Sequence, residues 1–196
     1  KTQPQRFIID PSDHNFDPLH GKTIHVRTTP EIVMDSLQLS PSFLETKNTQ
    51  KMTDYLQKWC DLETQIREKI DSTFRSIETI IEPKISWLIS QILPPETPLF
   101  ISNSMPVRDV EFFWSPNNRH IRPYFNRGAN GIDGILSTAL GIAHHNQPSV
   151  LLTGDLALLH DTNGFLVSQK LQGHLTIILI NNQGGGIFEM LPISQF

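Results

Sequence analysis

The chain has 196 residues, a formal charge of −4 and 38% hydrophobic content, which suits one large domain, or one domain with a piece of another. Its charge is spread without a basic patch, which argues against nucleic-acid binding, and its apolar runs are strand-length and broken by charge or proline, so no membrane span is predicted. The single cysteine, Cys60, excludes an internal disulfide.

In chain order, Phe7-Ile8-Ile9 is a short apolar strand closed by Asp10-Pro11, and Thr23 to Val26 is a second. Thr29-Pro30 then opens a short helix over Glu31 to Leu37. Proline and serine thicken at Ser40-Pro41-Ser42, a boundary signal. From Asn48 the period changes: Met52, Tyr55, Leu56, Trp59, Cys60, Ile66 and Ile70 recur at three and four residues, an amphipathic helix. Its polar face, with Asp61, Arg67, Glu68 and Lys69, reads as solvated, and Cys60 on the apolar stripe reads as a buried thiol rather than a catalytic one. A second helix follows Glu82-Pro83, with Ile85, Leu88, Ile89 and Ile92 on one face, and ends at Pro94-Pro95.

The remainder alternates strand and helix, as a doubly wound, mostly parallel α/β sheet flanked by helices requires. Pro98 to Ser102 is a strand leading into Asn103-Ser104 and a helix. Ile121 to Phe125 is a strand leading into Asn126-Arg127-Gly128-Ala129-Asn130-Gly131 and a helix from Asp133. Ser149 to Thr153 and Leu175 to Ile180 are apolar, β-branched runs of the kind buried in parallel sheets, separated by enough residues for one crossover helix. Each strand therefore opens into a polar or glycine-rich loop at the carboxyl edge, where α/β sheets bind ligands.

Two of those loops hold a candidate metal set. Asp155 offers a carboxylate oxygen, Asn182 an amide oxygen, and the glycine run after it, from Gly184, a backbone carbonyl; these are the hard oxygen donors that Mg²⁺ prefers, with a diphosphate to complete the shell. Taken separately, Gly154-Asp155 reads more readily as a helix cap and Asn181-Asn182-Gln183-Gly184 as a turn; together, at this spacing, they favour the metal set. Ser104, with the backbone around Asn103, lies at a helix N-terminus, where an anion or a plain N-cap fits. Arg108 and Arg127 flank the same edge; a guanidinium fork suits carboxylates, and a surface salt bridge is the bland alternative. His144-His145 reads as a polar helix end, and Asp161, after His160, as the cap of the following helix.

Gly154-Asp155-Leu156, Asn181-Asn182, Ser102-Asn-Ser-Met-Pro-Val-Arg108, Asn126-Arg-Gly-Ala-Asn-Gly-Ile-Asp-Gly134, GDLALLHD from Gly154 and NNQGGGIFEMLP from Asn181 together resemble one family. It is the 2-succinyl-5-enolpyruvyl-6-hydroxy-3-cyclohexene-1-carboxylate synthase family, known as MenD, within the thiamine-diphosphate superfamily; Leu156 departs from the superfamily's usual Gly-Asp-Gly. The likeness is close from about Pro98 to Phe196 and weak before Asn48.

The resemblance implies thiamine diphosphate with Mg²⁺ or Mn²⁺, and isochorismate and 2-oxoglutarate as substrates, in menaquinone or phylloquinone synthesis. It implies cofactor contacts at Asn103, Ser104, Ile132, Gly154, Asp155, Leu156, Ala157 and Asn182, with Ile132 as the apolar wedge that bends the cofactor. Ala157 stands where relatives offer a hydroxyl. Metal ligands would be Asp155, Asn182 and Gly184; substrate contacts Arg108, Arg127, Ile187 and Phe188. It further implies a segmented chain: residues 1–47 as the edge of a central domain, 48–77 as a linker helix and 78–196 as a diphosphate-binding domain incomplete at its C-terminus. The start at Lys1 and the end after a loop read as a piece of a longer protein. No catalytic residue is expected within it, because the activating glutamate would come from the N-terminal pyrimidine-binding domain of another subunit in a cytoplasmic homodimer or homotetramer. Competing readings are an acetolactate-synthase-like carboligase, which the two arginines and GGGIFEMLP disfavour, and a non-catalytic cofactor-binding or oligomerisation remnant.

Overall fold

The computed structural model describes residues 5–14, 21–36, 49–145 and 147–195. The boundary expected at Ser40-Pro41-Ser42 and the helix end at Leu37 lie outside those residues. The chain divides into two compact units, Lys1–Leu62 and Glu63–Phe196.

In the first unit, β1 (Arg6–Ile9) and β2 (Thr23–Val26) pair in parallel, Phe7 opposite Ile24 and Ile9 opposite Val26. A short helix, α1 (Pro30–Ser36), follows, its proline at the first helical position where a missing N–H costs nothing. Helix α2 (Thr49–Ser76) begins in this unit and ends in the next.

The predicted apolar stripe of α2 behaves differently from expectation. Tyr55, Leu56, Trp59 and Ile66 are exposed, and so is Cys60, which is therefore not a buried thiol. The side that packs in the second unit lies further along the helix. Phe74 is buried, its ring 5.7 Å from Trp87 and 5.5 Å from Phe113, and Asp71 accepts a 2.7 Å bond from Trp87 Nε1. Arg67, predicted to be solvated like Asp61, Glu68 and Lys69, is only 28% exposed. Its guanidinium pairs with Glu63 and donates to the carbonyls of Phe112 and Trp114 at 3.1 and 3.2 Å, groups that a helix end leaves without internal partners.

Around α2's end, the second unit builds α3 (Glu82–Ile92), β3 (Pro98–Ile101), α4 (Met105–Phe113), β4 (Arg122–Tyr124), α5 (Ile135–Ala143), β5 (Ser149–Gly154), α6 (Asp155–His160) and β6 (Leu175–Ile180). The four strands form one wholly parallel sheet in the order β4-β3-β5-β6. Side-chain alternation along each strand divides the core in two. Leu99, Ile101, Val150, Leu152, Ile178 and Ile180 meet Ile89 of α3, Leu93 just after it, and Val107 and Val110 of α4 on one face. Phe100, Leu151 and Ile177 meet Ile135, Leu136, Ala139 and Leu140 of α5 and Ala157 of α6 on the other. Helices thus cover both faces, the doubly wound arrangement expected. Within α3 the expected Ile92 is exposed, because the helix turns Trp87 and Ile89 inward instead.

The β5–β6 crossover is not one helix. After α6 the chain tightens into a 3₁₀ segment, Thr162–Lys170. A Cβ on Gly164 would stand 3.0 Å from Ser137 Oγ and 3.1 Å from Leu136 Cγ, so glycine permits the close approach to α5 there.

Candidate functional site

Parallel pairing carries the site. Gly154 stands opposite Ile180 at the ends of β5 and β6, so Asp155 and Asn182 leave the sheet side by side at its carboxyl edge. Because β3 and β4 run in the same direction, the loops holding Ser104 and Ile132 reach that edge too.

The four loops enclose a cavity of about 330 Å³, in the size range of small-molecule sites. Asn103, Ser104 and Arg108 line it from the loop after β3 and from α4, and Arg127 and Ile132 from the loop after β4. Gly154, Asp155, Leu156 and Ala157 line it from the β5–α6 junction, and Asn182, Ile187 and Phe188 from beyond β6. Of the predicted site residues only Gly184 is absent from the lining.

The details differ from simple capping. Ser104 precedes α4 at φ 74°, strained for a residue with a Cβ, and its hydroxyl makes no capping bond. Its carbonyl accepts from Arg108 Nη1 at 2.6 Å. Asn103 is 3% exposed and its amide is fully engaged: Nδ2 donates to the carbonyls of Asn126 at 3.0 Å and Gly131 at 2.6 Å, while Oδ1 accepts from Arg127 Nη1 at 3.0 Å. That leaves Asn103's backbone, rather than its side chain, to meet a ligand. Among the described residues neither Arg108 nor Arg127 forms an ion pair, so the salt-bridge reading does not describe them.

Ile132 lies in the loop, before α5 rather than in its first turn, half-buried against the core below the cavity. The N–H of Leu156 donates to its neighbour Asp155 Oδ1 at 2.8 Å. Beyond β6, Gln183, Gly184 and Gly185 all adopt positive φ (65°, 88° and 74°), a sequence of turns that two glycines make accessible, before Ile187 and Phe188 enter a 3₁₀ segment, Gly186–Met190.

Glu82 was missed as a site residue. It opens α3 and lines the cavity, and its Oε1 accepts a 3.2 Å bond from Asn182 Nδ2. A glutamate beside a proline at a helix start looks like ordinary N-terminal chemistry, and nothing local links residue 82 to residue 182. Within reach of its charge is Asp109, 2% exposed, with its Oδ2 buried and lacking a partner among the described residues. Burial first, and the nearby charge of Glu82 second, push the Asp109 carboxyl up to about 6.

Two further predictions resolve here. His144 is the residue after α5, and its Nδ1 accepts from the Gln172 N–H at 3.2 Å, which ties the end of α5 to the segment before β6. Asp161 does not cap the segment that follows it; its carboxylate instead reaches Ser137 in the first turn of α5.

No family model matches the chain. Curated relatives do. A 2-succinyl-5-enolpyruvyl-6-hydroxy-3-cyclohexene-1-carboxylate synthase of Trichormus variabilis is 63% identical over 99% of this chain and 32% of its own length. Proteins of the same name from Gloeothece citriformis and a Synechococcus species are 63% and 51% identical over 100% of this chain, and over 32% and 31% of theirs. The chain thus spans about a third of the length of the curated relatives it matches.

Proposed function

The chain belongs, over the third of the relatives' length that it spans, to the 2-succinyl-5-enolpyruvyl-6-hydroxy-3-cyclohexene-1-carboxylate synthase family, and from that premise we propose that it is the diphosphate- and metal-holding part of such an enzyme. The observation that carries this reading is the convergence of Ser104, Ile132, Asp155 and Asn182 on one cavity at the carboxyl edge of a parallel sheet. In this proposal residues 78–196 form the diphosphate-binding domain, 48–77 a linker helix and 1–47 the edge of a central domain.

The residues present fit a Mg²⁺ or Mn²⁺ ion bridging to a diphosphate. Asp155 supplies a carboxylate and Asn182 an amide oxygen, and a Cβ on Gly186 would stand 2.4 Å from Asn182 Nδ2, so the amide occupies space that only glycine leaves open. Gly184 would offer its backbone carbonyl. Thiamine diphosphate, when bound, supplies the electron sink for decarboxylating a 2-oxo acid and for forming the new carbon–carbon bond.

The chain's own residues bind and orient. Ser104 and the N–H groups at Gly154 and Asp155 would meet the diphosphate, with Leu156, whose N–H donates to Asp155 Oδ1, lining the same wall, and Ala157 brings no hydroxyl. Ile132, partly buried at the cavity, would be the apolar side chain on which the cofactor rests. Arg108 and Arg127 hold the carboxylates of 2-oxoglutarate and isochorismate, each fork matching two oxygens. Ile187 and Phe188 cover the reacting end and exclude water. By the same reading, the pyrimidine-activating glutamate comes from another subunit of a cytoplasmic homodimer or homotetramer, and the chain alone is a transferase component without turnover.

Calorimetry with thiamine diphosphate and Mg²⁺ tests this. Cofactor should bind to the chain weakly, since only one of its ends is gripped, and Asp155→Ala should abolish the Mg²⁺-dependent part of the heat. Binding untouched by Asp155→Ala would remove the proposal.

A further inference from the structure

Glu82 lines the cavity with no role in the reading above. It is the first residue of α3, and one hundred positions later in sequence Asn182 donates to it, Nδ2 to Oε1 at 3.2 Å. A carboxylate accepts hydrogen bonds and, when ionised, donates none, so it distinguishes the two branches of an amide that are nearly equal in shape. The nitrogen must turn to Glu82. The oxygen is then fixed on the other branch, where it accepts the Gly184 N–H at 3.1 Å and keeps a second lone pair. Gly186 lies beside the same amide, where an added Cβ would meet Nδ2.

We infer that Glu82 is a positioning residue for the cation site: by holding Asn182 Nδ2 it selects the amide orientation that presents Oδ1 to a divalent ion. This rests on the metal reading above. A flipped amide would put an N–H₂ group, a donor that repels a cation, where the ligand oxygen belongs; Glu82 on one branch and the Gly184 N–H on the other oppose that flip, and losing Glu82 removes the charged, stronger of the two restraints. Residues one shell out from a metal tune affinity this way, typically by about 10- to 100-fold.

Mn²⁺ binding in the presence of thiamine diphosphate, followed by the electron paramagnetic resonance of free Mn²⁺, provides a readout that needs no turnover. Glu82→Gln, whose amide accepts either orientation of Asn182, should weaken Mn²⁺ by roughly 10- to 100-fold. The second arm separates orientation from charge. Asn182→Asp offers oxygen on both branches, so in that background Glu82→Gln should leave Mn²⁺ affinity unchanged or raise it. An equal loss in both backgrounds would show that Glu82 acts only as a distant negative charge and would overturn the inference, as would an unchanged affinity for the single variant. A parent chain that binds no Mn²⁺ would instead defeat the metal reading itself. Thermal melts of each variant without metal show that the fold is retained; if Glu82→Gln fails to fold, comparing Asn182→Asp with Asn182→Asp/Glu82→Gln decides the matter.

Discussion

Asp161 accepts the backbone N–H of Ser137 at 2.6 Å and the Ser137 hydroxyl at 3.0 Å, so a carboxylate from the β5–β6 crossover caps the first turn of α5. Gly134, the N-cap position of α5, has no side chain to do this. The cap therefore comes from a residue 24 positions away. Asp161→Ala should cost about 1–2 kcal/mol, the range for a lost N-terminal cap, and lower Tm by roughly 2–8 °C. An unchanged melting curve would show the bond to be inconsequential.

The buried carboxyl of Asp109 makes stability depend on pH. Its value in the folded chain, about 6, lies above the ordinary 3.8, so the folded state keeps the proton to higher pH than the unfolded state does. Its favourable contribution is complete below about 3.8 and is lost as pH rises through about 6. At neutral pH the cost of the shift is about 3 kcal/mol, at 1.36 kcal/mol per unit. Asp109→Asn, which stays neutral in the same shape, should melt higher than the parent at pH 8 and show a smaller difference at pH 5. Parallel stability profiles for the two proteins between pH 4 and pH 8 would contradict this.

Two glycines should respond in opposite ways to a single methyl group. At Gly173 a Cβ would meet the carbonyl oxygen of Ala143 at 2.0 Å, a backbone atom at the end of α5 that cannot move alone. Gly173→Ala should destabilise by about 2–3 kcal/mol or more, as overpacking does. At Gly186 the obstacle is the tip of Asn182, 2.4 Å away, which can rotate aside. Gly186→Ala should therefore cost little stability yet weaken Mn²⁺ binding, because the rotation that relieves the clash displaces the proposed ligand. Thermal melts and Mn²⁺ titrations on both variants separate the two effects; a large drop in Tm for Gly186→Ala would show that Asn182 is not free to yield.

The sheet was legible because its signals are local. Leu175 to Ile180 and Ser149 to Thr153 are apolar, β-branched runs ended by turn residues, and both became strands within a residue of the expected limits. Parallel pairing then made the meeting of Asp155 and Asn182 a consequence of strand direction alone. What escaped depended on contacts between distant residues. Glu82 meets Asn182 across 100 positions and Asp161 meets Ser137 across 24, and neither pairing leaves a spacing pattern. Arg67 looked solvated because its charge sits on the polar side of α2, whereas it spans to two carbonyls at the end of α4. The α2 stripe misled for a related reason: periodicity shows that Tyr55, Trp59 and Ile66 share a side, and says nothing about what covers it.

Arg127 offers the most direct test of how the proposed substrate contacts are held. One arm of its guanidinium, Nη1, donates to Asn103 Oδ1 at 3.0 Å, and Asn103 is itself tied to the carbonyls of Asn126 and Gly131. The fork is thus anchored on one side, leaving its remaining N–H groups for a carboxylate without the full entropy cost of ordering a free side chain. Lysine keeps the charge but has a single nitrogen, which cannot bond Asn103 and both oxygens of a carboxylate in the same fixed plane. In an intact enzyme carrying this sequence, Arg127→Lys should raise KM for at least one of 2-oxoglutarate and isochorismate by roughly 10-fold or more, the loss of about one charge-assisted hydrogen bond, while thiamine diphosphate affinity stays within about 2-fold. Asn103→Ala should reproduce part of that KM effect through Arg127, and adding it to Arg127→Lys should cost less than the two separate effects combined, because both act through one bond. Fully additive effects would show that Asn103 does not work through the arginine, and an Arg127→Lys enzyme with both KM values unchanged would take Arg127 out of the substrate site.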